Sequence, residues 1–315
     1  MTRTSALLSA AAVALIALSG GWLPIWVLPI STVALGNGLA VLGMIVLWRA
    51  GLVSFGQALY YAAGAYAVAL AARHLGIRDA VLLVVIGTLA AAALAYVAGF
   101  LLARYRGIFF AMLSLALSMI LYGLLVNSQT LGASDGLSVP RATFLGFEPR
   151  GDDYTWALFA FTLALVWLSA AAVELYGATI AGALSRPMVD NELRIEFLGV
   201  SVDRLVHMKV VIAGLLTGMG GSVVGLSVAH VDPAMAFWTT SGGFVFVAIL
   251  AGTASVWGAF IGALAFEAVR TFAVSTMPGT WQMTLGAALL LTILFVPQGI
   301  GGLIFRRRRA TGAKP

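Results

Sequence analysis

GATIAGALSRPMVDNELRIEFLGVSVDRL, residues 177–205, is a polar island in a chain that otherwise reads as membrane-spanning helix almost from end to end. Asp190, Glu192, Arg194, Glu196, Asp203 and Arg204 all fall within it. Around it, 61% of the 315 residues are hydrophobic and only 10% are charged. A soluble domain carries about 25% charged residues, so this chain lacks the side chains to coat a water-facing surface. Its apolar runs are continuous over about 20 residues rather than alternating, which predicts helical spans and not a barrel. The fold class is therefore all-α, a polytopic transmembrane helical bundle surrounded by lipid. Cysteine is absent, which excludes disulfides and thiolate metal sites. The net charge of +6 would suggest nucleic acid in a soluble protein; here it sets orientation through the positive-inside bias.

Ten spans are expected, at 5–23, 30–48, 51–71, 80–103, 107–126, 154–176, 206–229, 236–252, 256–274 and 280–304, with the island as loop 177–205 and a basic tail at 305–315. Residues 236–274 are long enough for one tilted helix, but Gly252-Thr253-Ala254-Ser255 reads as a tight turn. Charge favours the split. With ten spans both termini are cytoplasmic, and 13 of the 18 basic residues lie inside, among them Arg104, Arg106, Arg186, Arg194, Arg204, Lys209 and the run 306–309. Arg73, Arg78, Arg141, Arg150 and Arg270 are left outside. Merging the two spans would put the arginine run and the island on opposite sides, which the bias disfavours. The first span also resembles a signal peptide, whose cleavage would leave nine spans.

The island has helical organisation. Ser185 is placed to cap, Pro187 fits a first turn, and Asp190 and Glu192 sit early, where the helix dipole favours negative charge. Leu193, Phe197 and Val200 recur at i, i+4 and i+7 as one apolar stripe, Glu192 and Glu196 align on a neighbouring face, and Gly199 supplies a stop. Two readings follow: an interfacial helix that anchors a loop, or a helix that docks into a groove on a soluble partner. Acidic residues make poor anchors on an anionic leaflet, which favours docking.

Several chemistries are missing. There is no G-x-x-x-x-G-K-[ST] phosphate loop, so the chain does not hydrolyse ATP by that route and is not read as an enzyme. His74, His207 and His230 fall near three different span ends and form no zinc-peptidase pair. Glu174 and Glu267 are the only acids inside expected spans, each within about two turns of an end, so an ion-coupled pump has little support. The third span, GLVSFGQ at 51–57 and then AAGAY at 62–66, mixes glycines with polar groups. Such residues serve either as packing between helices or as the lining of a broken helix on a transport path. Ser54, Gly56, Gln57, Tyr61 and Gly64 are the candidate path residues. Gly214-x-x-x-Gly218, Gly221-x-x-x-Gly225 and Gly258-x-x-x-Gly262 read as packing, and Asn37 as an interhelical hydrogen-bond partner.

At these residues the chain resembles the LivM-type permeases of branched-chain amino acid ABC importers. GLVSFGQA at 51–58 with Gly64-Ala65-Tyr66 resembles the family's third-span signature, and Ser134-Asp135-Gly136-Leu137 its external segment. Asp190-Asn191-Glu192 with Glu196 and Gly199 resembles the family's cytoplasmic coupling segment, LAGTASVWG at 250–258 its turn, and FVPQGI at 295–300 its closing helix end. Arg194 and Ile195 stand where the family tends to have alanines, and Gly252 is a single glycine where it tends to have two. The resemblance implies an importer-permease fold in a bacterial inner membrane and a LivH-like second permease. It also implies two ATP-binding subunits that hold ATP and magnesium, and an extracytoplasmic substrate-binding protein. Asp190, Asn191, Glu192, Glu196 and Gly199 would form the helix that couples to the ATPases. A stand-alone channel or secondary transporter is the rival reading, and urea or short amides are the rival substrates.

Overall fold

The computed structural model describes residues 24–253, 255–276 and 279–295. The expected first span at 5–23, the end of the last at 296–304 and the tail at 305–315 lie outside them. The described chain is helical almost throughout: α1 Val27–Trp48, α2 Gln57–His74, α3 Ala80–Leu102, α4 Gly107–Asn127, α5 Asp152–Ala178, α6 Ile180–Ala183, α7 Ser185–Asp190, α8 Glu192–Phe197, α9 Val202–Val228, α10 Trp238–Ala251, α11 Val256–Thr276 and α12 Trp281–Phe295. Six of them, α1, α3, α4, α5, α9 and α11, are long and apolar enough to cross a membrane, and α10 is a shorter apolar helix. This is a multi-pass membrane protein.

Burial separates centre from rim. The most apolar stretches of α1 and α9 are 78% and 72% buried inside the bundle, against 22% for α4, whose exposed Ile108, Phe109 and Met112 face outward. Lipid tails are as apolar as leucine, so central helices are held by close packing more than by hydrophobic drive. Small residues supply that closeness. Gly64 of α2 lies directly against the backbone of Gly218 in α9, and Gly214 and Gly218 meet Ala95 and Ala91 of α3.

One difference from the expected spans has a local cause. The helix expected from Gly51 begins at Gln57, because residues 51–56 run non-helically. Two of their backbone donors are met by hydroxyls: Phe55 N–H donates to Ser114 Oγ (3.1 Å) and Gly56 N–H to Ser54 Oγ (3.2 Å). In the first turn of α2, Ala58 N–H donates to Ser241 Oγ (2.9 Å). Non-helical backbone is tolerated in a membrane bundle where protein satisfies it in this way. Residues 236–274 are two helices, with Gly252 (φ +73°) ending α10 and α11 starting at Val256.

At the end of the bundle opposite the island, Leu137–Ser138 (β1) pairs antiparallel with His230–Val231 (β2), in register Leu137 with Val231. This ties the 127–153 loop to the end of α9. Asp79 caps α3 by accepting from Val81 and Leu82 N–H, and its second oxygen accepts from Leu145 N–H at 2.6 Å.

Candidate functional site

The island is not one helix. Asn191 is extended (φ −162°, ψ 104°) and splits it into α7 and α8. Its side chain accepts from Arg194 N–H (3.1 Å), so a capping asparagine wins over helix continuity and starts α8 anew. Ser185 does not cap; it lies inside α7 and its hydroxyl donates to Gly182 O (2.7 Å). Pro187 sits in the first turn of α7, where its missing N–H costs nothing.

The break also changes which side chains face inward. Leu193 and Phe197 are 65% and 90% exposed, while Ile195 is 1% and Met188 2% exposed. Ile195 and Met188 anchor the island in a cluster with Leu102, Phe110, Leu205 and Val206. Of the expected Leu193/Phe197/Val200 stripe, Leu193 and Phe197 are therefore on the outer face, beside exposed Leu198, while Val200 is partly buried against that cluster. Gly199 (φ +81°) ends α8, donating to Glu196 O (2.9 Å), in the left-handed region that glycine adopts freely.

The two candidate acids part company. Glu192 accepts from Arg106 Nε (2.8 Å), and Arg106 Nη2 reaches Asp203 Oδ1 (2.9 Å), binding the starts of α4, α8 and α9 together. Glu196 and Asp190 are exposed. Gly51 (φ +72°) packs against Val189 of α7, so the non-helical entry to α2 abuts the island directly.

Lys209 is a functional candidate that the sequence shows only as one more positive charge near a span end. It is fully buried in α9, and its Nζ donates to Tyr176 Oη (3.1 Å) and Ser185 Oγ, and lies 5.3 Å from the Tyr176 ring centre. It thus clasps α7 to the ends of two long helices. Hydrogen bonds to charged groups contribute about 1.5–3 kcal/mol, so Lys209→Met is expected to raise local opening of the island by on the order of tenfold. Trypsin cleavage after exposed Arg194 should accelerate accordingly, with the global thermal midpoint little changed; an unaltered cleavage rate would sink the clasp.

Among the five candidate path residues, Ser54, Gly56, Gln57 and Gly64 are buried in helix contacts. Ser54 serves the backbone as described, and Gly56 lies against Ser114. Gln57 Oε1 accepts from Thr217 Oγ1 (2.8 Å), while its amide nitrogen has no partner among the described residues. Tyr61 alone of the five borders the cavity, of about 570 Å³, between α1, α2, α9, α10, α11 and α12. Tyr61 Oη donates to Asn37 Oδ1 (2.9 Å), and its ring lies 5.1 Å from that of Phe244. Asp232, Glu267 and Arg270 line the same cavity. These three were not singled out as a site in the sequence, since a loop and a helix some 35 residues apart must meet before they do.

A family profile described as "Branched-chain amino acid transport system / permease component" matches residues 26–294, which runs from α1 into α12. The chain is 26% identical over 308 residues to the high-affinity branched-chain amino acid transport system permease protein LivM of Escherichia coli (strain K12), covering 90% of this chain and 70% of that one. It is 25% identical over 294 residues to the LivM of Salmonella typhimurium (strain LT2), covering 85% of this chain and 67% of that one. No solved structure matches at a significant level. With the profile spanning the bundle from its first described helix nearly to its last, the chain belongs to the branched-chain amino acid transport permease family.

Proposed function

We propose that the chain is one half of the membrane pathway of an ABC importer for branched-chain amino acids, with the island end of the bundle in the cytoplasm of a bacterial inner membrane. The observation that carries this is the outer face of α8. Leu193, Phe197 and Leu198 are exposed on a charged segment of a family member that has no phosphate loop of its own. An apolar, aromatic-centred patch with a polar rim is the composition of a docking surface. Asp190 and Glu196 flank it toward the partner, while Asn191, Glu192 and Gly199 shape it from within the chain. On this reading ten spans put both termini inside, and a LivH-like chain completes the permease. Two ATP-binding subunits hold ATP and magnesium, one of them seated on α8 and the other on the second permease, and an extracytoplasmic binding protein delivers substrate to the opposite end.

The test is reconstitution. Liposomes carrying the full assembly should accumulate L-leucine only with ATP and binding protein present. Equal transport by this chain alone, without ATP, would replace the importer with a stand-alone channel or carrier. ATP-driven uptake of urea but not leucine would replace the substrate.

A further inference from the structure

The charges in the cavity beside Tyr61 do not balance. Among the described residues, Asp232, Glu267 and Arg270 are the charged ones lining it. Glu267 is buried (7% exposed), and its Oε1 accepts from Arg270 Nη1 at 2.9 Å. Asp232 Oδ1 is buried with no hydrogen-bond donor among the described residues. Ionised groups in spanning helices are costly, face cavities, and mark the routes of substrates. Arg270 is exposed while Glu267 is buried, and an ion pair with one exposed partner contributes little to stability, so folding alone gives little reason to keep this one. Two carboxylates against one guanidinium also leave an acceptor short of a cation. Phe244 and Phe266, in contrast, give the cavity an apolar wall.

We propose that this cavity takes one zwitterionic amino acid with an apolar side chain: carboxylate on Arg270, ammonium on Asp232 and Glu267, side chain against Phe244 and Phe266. The proposal rests on the importer reading for its substrate class and narrows it. A guanidinium fork matches a carboxylate, and the ammonium supplies the missing cation. A neutral amide offers neither charge. The cavity's volume lies within the usual range for small-molecule sites and leaves room for accompanying water. A pathway site must also release what it holds, and a mutually paired Glu267–Arg270 gives the charges somewhere to return.

The chain has no cysteine, so Thr239→Cys, at an exposed position on the cavity wall, introduces a single thiol into it. Its modification by a membrane-impermeant thiol reagent is followed in the full assembly in lipid, with L-leucine, with acetamide, or with neither. L-leucine should slow labelling and acetamide should not. Arg270→Gln and Glu267→Gln should each raise the half-protecting leucine concentration by about tenfold or more, the size expected for losing a hydrogen bond to a charged partner. Their unliganded labelling rates should stay at the parent value, which reports an intact cavity. Arg270→Lys should retain part of the protection. If Arg270→Gln fails to insert, Glu267→Gln decides. Equal protection by acetamide, or leucine protection untouched by loss of either charge, overturns the proposal. Leucine protection in an assembly that fails to accumulate leucine with ATP supports the site and overturns the importer reading; accumulation without protection does the reverse.

Discussion

Phe197→Asp should separate this chain from its ATPases and abolish ATP-driven uptake while leaving it inserted and folded. Phe197 is 90% exposed at the end of α8, so its removal takes nothing from the chain's own core. Surface substitutions of that kind shift folding stability by within about 0.5 kcal/mol. A central aromatic anchor at an interface costs about 2 kcal/mol or more when lost, roughly thirtyfold in affinity, and a carboxylate placed in the partner's groove adds desolvation. Leu193→Asp should act in the same direction. Glu196→Lys, a rim charge beside the patch, should weaken docking less at equilibrium and show a stronger salt dependence. Ile195→Asp makes the contrasting control. Ile195 is 1% exposed, so a charge there unseats the island from its own bundle and lowers thermal stability as well. Co-purification of the ATPases with each variant, alongside its thermal midpoint in detergent, separates these outcomes. Wild-type retention of the ATPases by Phe197→Asp would remove α8 as the coupling surface.

That contrast marks where sequence reading reached and where it stopped. The stop at Gly199 and the turn at Gly252 are written in a local signal, glycine at positive φ, and each stands where that signal places it. The facing of α8 was not legible, because an i, i+4, i+7 pattern is computed along an unbroken helix. α8 ends at Phe197, so Val200 falls beyond it, and Ile195, not Leu193, turns inward. The start of α2 was misplaced because hydroxyls from Ser114 and Ser241, distant in sequence, meet backbone donors that would otherwise have required more helix. Lys209 with Ser185 and Tyr176, and Asp232 with Glu267 and Arg270, are tertiary convergences. Their members look like ordinary span-end charges until the helices come together.

The largest effect on folding is expected at Gly64→Leu. A Cβ built on Gly64 runs into the backbone of Gly218 on α9, and one built on Gly218 runs into Ala91 on α3. Neither neighbour is a flexible side-chain end. To admit a side chain, α9 must move away from α2, and that presses it into α3 at Ala91 and Ala95. Single added methylenes in a packed core cost about 1–3 kcal/mol, and a leucine here adds four carbons against fixed backbone. Separation is the cheaper response, since lipid receives an exposed apolar helix face as readily as protein does. Gly64→Leu should therefore insert but lose its monodisperse peak on size exclusion in mild detergent, with Gly64→Ala intermediate. Gly123 on α4 has open space where its Cβ would lie, so Gly123→Leu adds the same residue to the bundle without strain and should behave as the parent. Equal stability of the Gly64 and Gly123 variants would mean that the α2–α9 crossing is not held by backbone contact. With the expected result, the two halves of the chain's design are separable by experiment: Phe197→Asp loses the partner and keeps the bundle, and Gly64→Leu loses the bundle.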